Sequence, residues 1–333
     1  MIGMMKRRGL VFGIVGVFVV IAIFAAANRL NAQNKAAQRI GTAAEGVDLA
    51  SSAAVLKAAR TYVGNQELGK AQAVLRAALK DRPDDAIVRG MLGDVLLQDG
   101  DEDEAMAQYA AVADRDDATG EALFRAGSLA AGMDDHARAL GYLTRAGEID
   151  PGNAAVPALA AGAQIDLGLI DEAKVNLARA AVLDEGQGVV WGMLAELAVR
   201  ENKLDMASQH IVKARRFEPD VIAWRVLEAR IYKRLGDPEK AIMLLDGIGR
   251  ADRFEPSVIG EMAACLGMVG RAEDAMLIYQ VAVREKPTEP ELWYQAALWA
   301  ERLGMMEEAA DYARSASMLG DKRATAVLDR LED

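Results

Sequence analysis

The strongest constraint on this chain is a ladder of eight alanines with a constant step of 34 residues: Ala71, Ala105, Ala139, Ala173, Ala207, Ala241, Ala275 and Ala309. Other columns keep the same beat. Twelve residues before each anchor stands a small residue: Ala59, Gly93, Gly127, Ala161, Ala195, Ala229, Ala263 or Ala297. Five before it, seven of the eight are turn formers (Gly100, Asp134, Gly168, Asn202, Gly236, Gly270 and Gly304), and Gln66 is the exception. Four after it comes a larger apolar side chain, Leu75, Tyr109, Leu143, Leu177, Ile211, Leu245 or Tyr279, with Ala313 breaking the rule. Twelve after it, alternate repeats carry Pro83, Pro151, Pro219 and Pro287.

A pair of antiparallel helices repeated eight times accounts for these columns. Small residues let the two helices approach, and the larger residue one turn after the anchor fills the space between them. The Gly or Asx column ends the first helix and the proline column ends the second. Each unit buries its apolar face only against its neighbours, so residues 52–323 read as one stack rather than several domains.

This pattern resembles the tetratricopeptide repeat (TPR), whose 34-residue unit has small, Ala, large and Pro columns in this order. Trp191 and Trp293 match that family's first-helix aromatic position, while Arg89, Pro157 and Arg225 depart from it. The resemblance implies an all-α, right-handed superhelical solenoid of about eight helix-turn-helix units.

Local chemistry agrees with the ladder. Ser51 or Ser52 can cap the first repeat helix. Asp81-Arg82-Pro83-Asp84-Asp85 reads as a helix stop followed by a start. Asp237-Pro238-Glu239 supplies an N-cap, a first helical position and a first-turn acid, and Asp101, Asp135 and Asp171 open second helices in the same manner. Gly247-Ile248-Gly249 weakens the second helix of the sixth repeat and marks the expected irregular joint. Residues 324–333 form a capping helix, with Ala324, Val327, Leu328 and Leu331 on one face.

Ahead of the repeats, residues 1–8 are short and basic, with Lys6, Arg7 and Arg8. Residues 9–27 carry no charge over nineteen positions. At 1.5 Å per residue that is about 28 Å of helix, near the hydrocarbon thickness. The segment reads as a transmembrane signal anchor. The alternative is a cleaved signal peptide cut near Ala25-Ala26-Ala27, and the length of the uncharged run favours the anchor. Basic residues crowd the N-terminal side, which places the N-terminus in the cytoplasm and the repeats outside it, periplasmic in a bacterium with two membranes. Residues 28–51 are polar and read as a spacer.

The formal charge is −11, from 50 acidic and 39 basic residues, and aromatics make up 5%. Both argue against a nucleic-acid partner, which needs a basic stripe and stacking surfaces. Cys265 stands alone, excludes an internal disulfide and reads as a buried thiol. His136 and His210 stand 74 residues apart without zinc-ligand spacing and read as structural or surface histidines. Asp99, Asp101 and Asp103 start like a calcium loop, but Glu104 replaces the required glycine and Ala110 the bidentate glutamate. No catalytic grouping, metal site or cofactor motif stands out, so the chain reads as a non-enzyme; an enzyme with an unrecognised site is the remaining alternative.

In the family resembled, first helices line a concave surface that holds extended or helical peptides. In this chain the positions three before and one after the small column would face that hollow. They supply the candidate protein-binding residues Arg60, Asp94, Phe124, Ser128, Glu196, Arg230 and Tyr294. Gly90, Gly192, Gly260 and Ala158 leave room between them, unless they serve to pack neighbouring helices. The expectation is a membrane-tethered scaffold or adaptor that holds an apolar or amphipathic protein segment; a cleaved, soluble exported adaptor is the second reading.

Overall fold

The computed structural model describes residues 43–332. The segments read as basic terminus and signal anchor, and most of the spacer, lie outside them. Among the described residues no helix is long and apolar enough to cross a membrane. Among the described residues seventeen helices can be given full bounds, and they fall into two compact units, Met1–Leu169 and Ile170–Asp333.

The first unit contains α1 (Ser52–Gly64), α2 (Leu68–Asp81), α3 (Ala86–Asp99), α4 (Glu102–Ala113), α5 (Gly120–Gly132), α6 (His136–Ile149) and α7 (Ala155–Asp166). The second contains α8 (Ile170–Leu183), α9 (Gly188–Arg200), α10 (Leu204–Phe217), α11 (Ile222–Arg234), α12 (Pro238–Asp246), α13 (Pro256–Met268), α14 (Ala272–Glu285), α15 (Pro290–Arg302), α16 (Met306–Met318) and α17 (Arg323–Glu332).

The columns do what their chemistry requires. All eight ladder alanines are completely buried. Where the small residue is glycine, the large residue sixteen positions later occupies the space a Cβ would need: on Gly93 it would stand 2.5 Å from the Tyr109 ring, and on Gly127 2.7 Å from Leu143 Cγ. In the turn column all eight residues have positive φ, from Asn202 at 58° to Gly236 at 84°. Gln66, the sequence exception, adopts φ 60° like the rest. The next residue's N–H then reaches back five residues, as in Glu67 to the Tyr62 carbonyl and Asp101 to the Leu96 carbonyl. This is the Schellman closure of a helix end.

Caps follow the reading closely. Ser51 Oγ accepts from the Ala54 N–H at 3.3 Å. Asp85 accepts from Val88 N–H at 3.1 Å, restarting the chain as α3 after α2 ends at Asp81. Asp101, Asp135 and Asp237 each accept from the N–H three residues on. Asp171 differs: it lies inside the first turn of α8, where its charge faces the helix N-terminus without capping it.

Two departures from the ladder have physical causes. The sixth repeat's second helix, α12, has nine residues and stops at Gly247, where two glycines in three residues end it. Ala313 stands where a large residue belongs because Val327 of α17 shares its cluster with Ala297, supplying the missing volume.

Two of the three departures at the aromatic position, Arg89 and Pro157, also have physical causes. Trp191 Nε1 donates to the Glu185 carbonyl and Trp293 Nε1 to the Pro287 carbonyl, six residues back in each case. Arg89 Nε makes the same bond to the Pro83 carbonyl at 2.7 Å. Each of the three also reaches nineteen residues forward: Trp191 stacks on His210, Trp293 meets Tyr312, and Arg89 donates to Gln108. Arg89 thus keeps the tie between helix and preceding loop without a ring. Pro157 sits in the first turn of α7, where its missing N–H leaves nothing unsatisfied.

Residues 43–51, the end of the segment read as a spacer, pack on the first repeat. Ala43 is fully buried, its carbonyl accepts from Tyr62 Oη at 3.0 Å, and Arg82 Nη2 donates to the Leu49 carbonyl at 2.8 Å.

Candidate functional site

First helices pack against one another (α1 on α3, α5 on α7, α9 on α11, α11 on α13 and α13 on α15) as well as against their own second helices. They form the row on which the candidate binding positions lie, and a groove opens along that row in each unit.

In the first unit the groove runs over α1, α3 and α5 and encloses about 310 Å³. Leu56, Ile87, Gly90 and Met91 give it an apolar floor, and Arg60, Asp94, Glu121 and Arg125 give it polar edges. Asp94 is already engaged: it accepts from Arg125 Nη1 at 2.7 Å and from Tyr109 Oη at 2.7 Å. Burial and the Asp94 carboxylate push the Tyr109 phenol far above its usual range, so it stays a donor. Arg125 also reaches Glu121 at 2.7 Å. Arg60 is exposed and has no hydrogen bond or ion pair with any described residue.

Phe124 and Ser128 do not line this groove. Phe124 packs against the first unit's core, and the Ser128 hydroxyl is buried without a hydrogen-bond partner. Gly90 is open, with only Arg125 Nη1 at 3.6 Å from where a Cβ would stand.

In the second unit the groove lies over α11, α13 and α15 and encloses about 610 Å³. Pro256, Gly260, Ala264 and Gly267 form a floor almost bare of side chains, flanked by Lys233, Glu291, Gln295, Trp299 and Arg302. A Cβ added to Gly260 would meet nothing within 4 Å. Gly192 is different, since its Cβ would stand 2.3 Å from the Trp224 ring, so packing sets that glycine.

The structure brings Glu196 and Arg230 together at 3.3 Å, and Glu261 joins them: it accepts from Arg230 Nε at 2.9 Å and from Lys233 at 2.5 Å. These charges tie α9, α11 and α13 to each other. Tyr294 faces α17, where the Arg323 guanidinium covers its ring at 4.3 Å. Of the seven candidate residues, Arg60 and Asp94 line a groove, while the other five serve packing or inter-helix pairing in these contacts.

Sequence reasoning missed Arg125 and Glu261. Both lie two residues before the small column, a position held elsewhere by Met91, Leu159, Met193 and Leu227 and, in the first and last repeats, by Lys57 and Gln295. Each pairs with a residue of opposite sign 31 positions earlier, Asp94 and Arg230. A search for opposite charges at that spacing would have found both.

The remaining titratable candidates are accounted for by packing. The His210 ring stacks on Trp191 with centroids 5.7 Å apart, Lys213 covers the same Trp191 ring at 3.8 Å, and burial with Lys213 lowers the His210 pKa. His136 Nδ1 stands 3.7 Å from Asp166. Cys265 is buried and its thiol is pushed up to about 11 by desolvation. Among the described residues no three His, Cys, Asp or Glu side chains are placed to share a metal ion.

Two tetratricopeptide repeat profiles match the chain, one over residues 56–119 and the other over residues 129–197. Over these residues the chain carries tetratricopeptide repeats. Neither TPR profile is that of an enzyme family. No curated protein matches the chain in sequence. Solved TPR folds superpose on it. A chain of the APC/C hetero-tetramer Cut9–Hcn1 gives a TM-score of 0.55 at 13% identity, over 85% of this chain and 56% of that one. Yeast Tom70 gives 0.57 at 17% identity, over 80% and 58%. Pseudomonas aeruginosa PilF gives 0.52 at 18% identity, over 64% and 96%. The protein thus spans little more than half the length of the Cut9–Hcn1 and Tom70 chains. At these identities the likeness establishes the TPR fold alone.

Proposed function

We propose that this TPR protein is a membrane-tethered scaffold that holds a segment of another cell-envelope protein in its first-helix grooves and performs no chemistry itself. The observation that carries the reading is the bare floor at Gly260: a groove of about 610 Å³ whose centre offers backbone and empty space. A backbone or an apolar side chain of a partner can approach there without displacing anything. Lys233 pairs with Glu261 and Glu291 with Arg323, while Arg302 lies over the Trp299 ring, so little free charge is left beside the floor and the groove selects on shape and apolar contact. The uncharged run at residues 9–27 supports the tether, and the basic residues ahead of it support an N-terminus inside the cell with the repeats outside. Tethering raises the effective concentration at the membrane, so a weak groove contact suffices.

Crosslinking mass spectrometry in native membranes tests this, with a photoreactive residue at Gln295 on the groove wall. The expected result is a defined envelope partner, lost when Gly260→Trp fills the floor. Recovery of no partner, or of the same one from the Gly260→Trp protein, overturns the reading. Intact mass of the mature chain separates tethered from cleaved: a start near Asn28 establishes the soluble exported adaptor instead.

A further inference from the structure

The two first-helix grooves are centred on the same place in the second and seventh repeats. Counting along the 34-residue beat, Tyr109 corresponds to Tyr279, Asp94 to Ala264, Glu121 to Glu291 and Arg125 to Gln295. Half of the first unit's polar pattern survives: Gln295 Nε2 donates to Glu291 at 2.8 Å, as Arg125 Nη2 donates to Glu121 at 2.7 Å. The other half does not. In the second repeat the Tyr109 hydroxyl donates to Asp94, and Arg125 holds the same carboxylate. In the seventh repeat that acceptor is gone, because Ala264 stands in its place and lines the groove.

Tyr279 therefore keeps a proton with no acceptor for it. The residue is 1% exposed, yet it lines the groove. Its hydrogen-bonding neighbour is the Trp299 indole, whose N–H can only donate. The phenol oxygen accepts that bond, and no described residue accepts from the phenol. Burial, with Glu291 and Glu261 nearby, pushes the phenol above its usual range, so it stays a donor. A buried donor without a partner costs free energy until one arrives.

The surroundings select the partner. Where the second repeat sets a guanidinium beside its carboxylate, the seventh sets the neutral amide of Gln295, with one N–H given to Glu291 and a second remaining. Glu261 and Glu291 stand near the phenol and repel an anion, whereas an uncharged oxygen meets no such barrier. The uncharged oxygen that every protein segment carries is the backbone carbonyl. In a helix it is taken by the N–H four residues on, so a free one belongs to an extended segment. The small floor at Gly260 and Ala264 lets such a backbone come close.

We propose that the groove over α13 takes an extended, uncharged segment of the partner, with one backbone carbonyl in the place of the Asp94 carboxylate, accepting from the Tyr279 hydroxyl. The assignment rests on this groove being the partner's seat.

The test uses the full-length chain in phosphatidylcholine nanodiscs with nitrogen-labelled tryptophan. The probe is the capped peptide acetyl-Ala-Leu-Pro-Leu-Ala-amide, uncharged and kept extended around its proline. The expected result is a shift of the Trp299 indole N–H signal on titration, with affinity lowered about tenfold by Tyr279→Phe, which keeps the ring and removes the donor. Ala264→Asp lowers it at least as much, since it restores the acceptor from within, as Asp94 does for Tyr109. Should Tyr279→Phe perturb folding, Ala264→Asp gives the reading with the buried ring intact. No binding by the native chain, or full affinity in a folded Tyr279→Phe or Ala264→Asp protein, overturns the proposal. Tighter binding of acetyl-Ala-Asp-Pro-Asp-Ala-amide assigns the hydroxyl to a carboxylate and overturns it too. Gly260→Trp tells the two readings apart. Where it abolishes binding and Tyr279→Phe leaves it unchanged, the groove stands and the carbonyl assignment falls. Where it leaves binding unchanged, the groove reading itself falls.

Discussion

Gly93 of α3 lies against the ring of Tyr109 of α4, so close that a Cβ on Gly93 would stand 2.5 Å from the ring. The ring cannot swing aside freely, because its hydroxyl donates to Asp94 at 2.7 Å. Helix propensity alone favours Gly93→Ala by about 1 kcal/mol. Overpacking works against it by about 1–3 kcal/mol. The expected outcome is a net loss of stability, read as a lower urea midpoint. The double variant Gly93→Ala, Tyr109→Leu recovers much of it, since Ala59 with Leu75 is the pairing of the first repeat.

Gln66 has a side chain in a backbone conformation that seven other repeats assign to Gly, Asp or Asn. A left-handed residue with an ordinary Cβ carries a strain of about 1–2 kcal/mol. Gln66→Gly relieves it, offset in part by the greater freedom of an unfolded glycine. A stabilisation of about 0.5–1 kcal/mol is expected, with a higher melting temperature for the first unit. No change in thermal unfolding would mean that the turn carries no strain.

Two glycines of one sequence column behave oppositely. At Gly260 a Cβ meets nothing, so Gly260→Ala raises stability by up to about 1 kcal/mol through helix propensity. At Gly192 it meets Trp224 at 2.3 Å, so Gly192→Ala lowers stability by about 1–3 kcal/mol. Chemical denaturation of the two variants side by side checks the contrast.

His210 supplies a pH dependence. Burial first, and then Lys213, lower its folded pKa below that of the unfolded chain. The unfolded state therefore binds more protons in the window just below the ordinary imidazole value of about 6.5, and stability rises with pH across it. The contribution is complete above that value and is lost as pH falls. Denaturation midpoints at pH 5 and pH 7.5 should differ less in His210→Gln than in the native sequence, and an unchanged difference would rule out His210 as the source.

Helix pairing was legible in the sequence because it depends on contacts within one repeat. Gly93 and Tyr109, or Gly127 and Leu143, stand sixteen residues apart and meet in the same way. The turn column was legible for a related reason: a left-handed residue must sit where one helix ends and the next begins. Even Gln66 obeys, since the position, more than the residue, sets its conformation. The groove was only partly legible. Arg60 and Asp94 reach it, but Glu196 pairs with Arg230, Arg230 also with Glu261, and Tyr294 is covered by Arg323, each from a neighbouring helix.

The sequence by itself determined the 34-residue unit, the two helices in each, their caps and the truncation at Gly247, since all of these arise from forces acting over one or two turns. Tertiary structure alone decided which small residue is a floor and which is a socket, and which charges are left free after neighbouring helices have paired. Such outcomes depend on what the next repeat happens to present across the gap, as Trp224 does to Gly192, and the 34-residue period is silent about that partner.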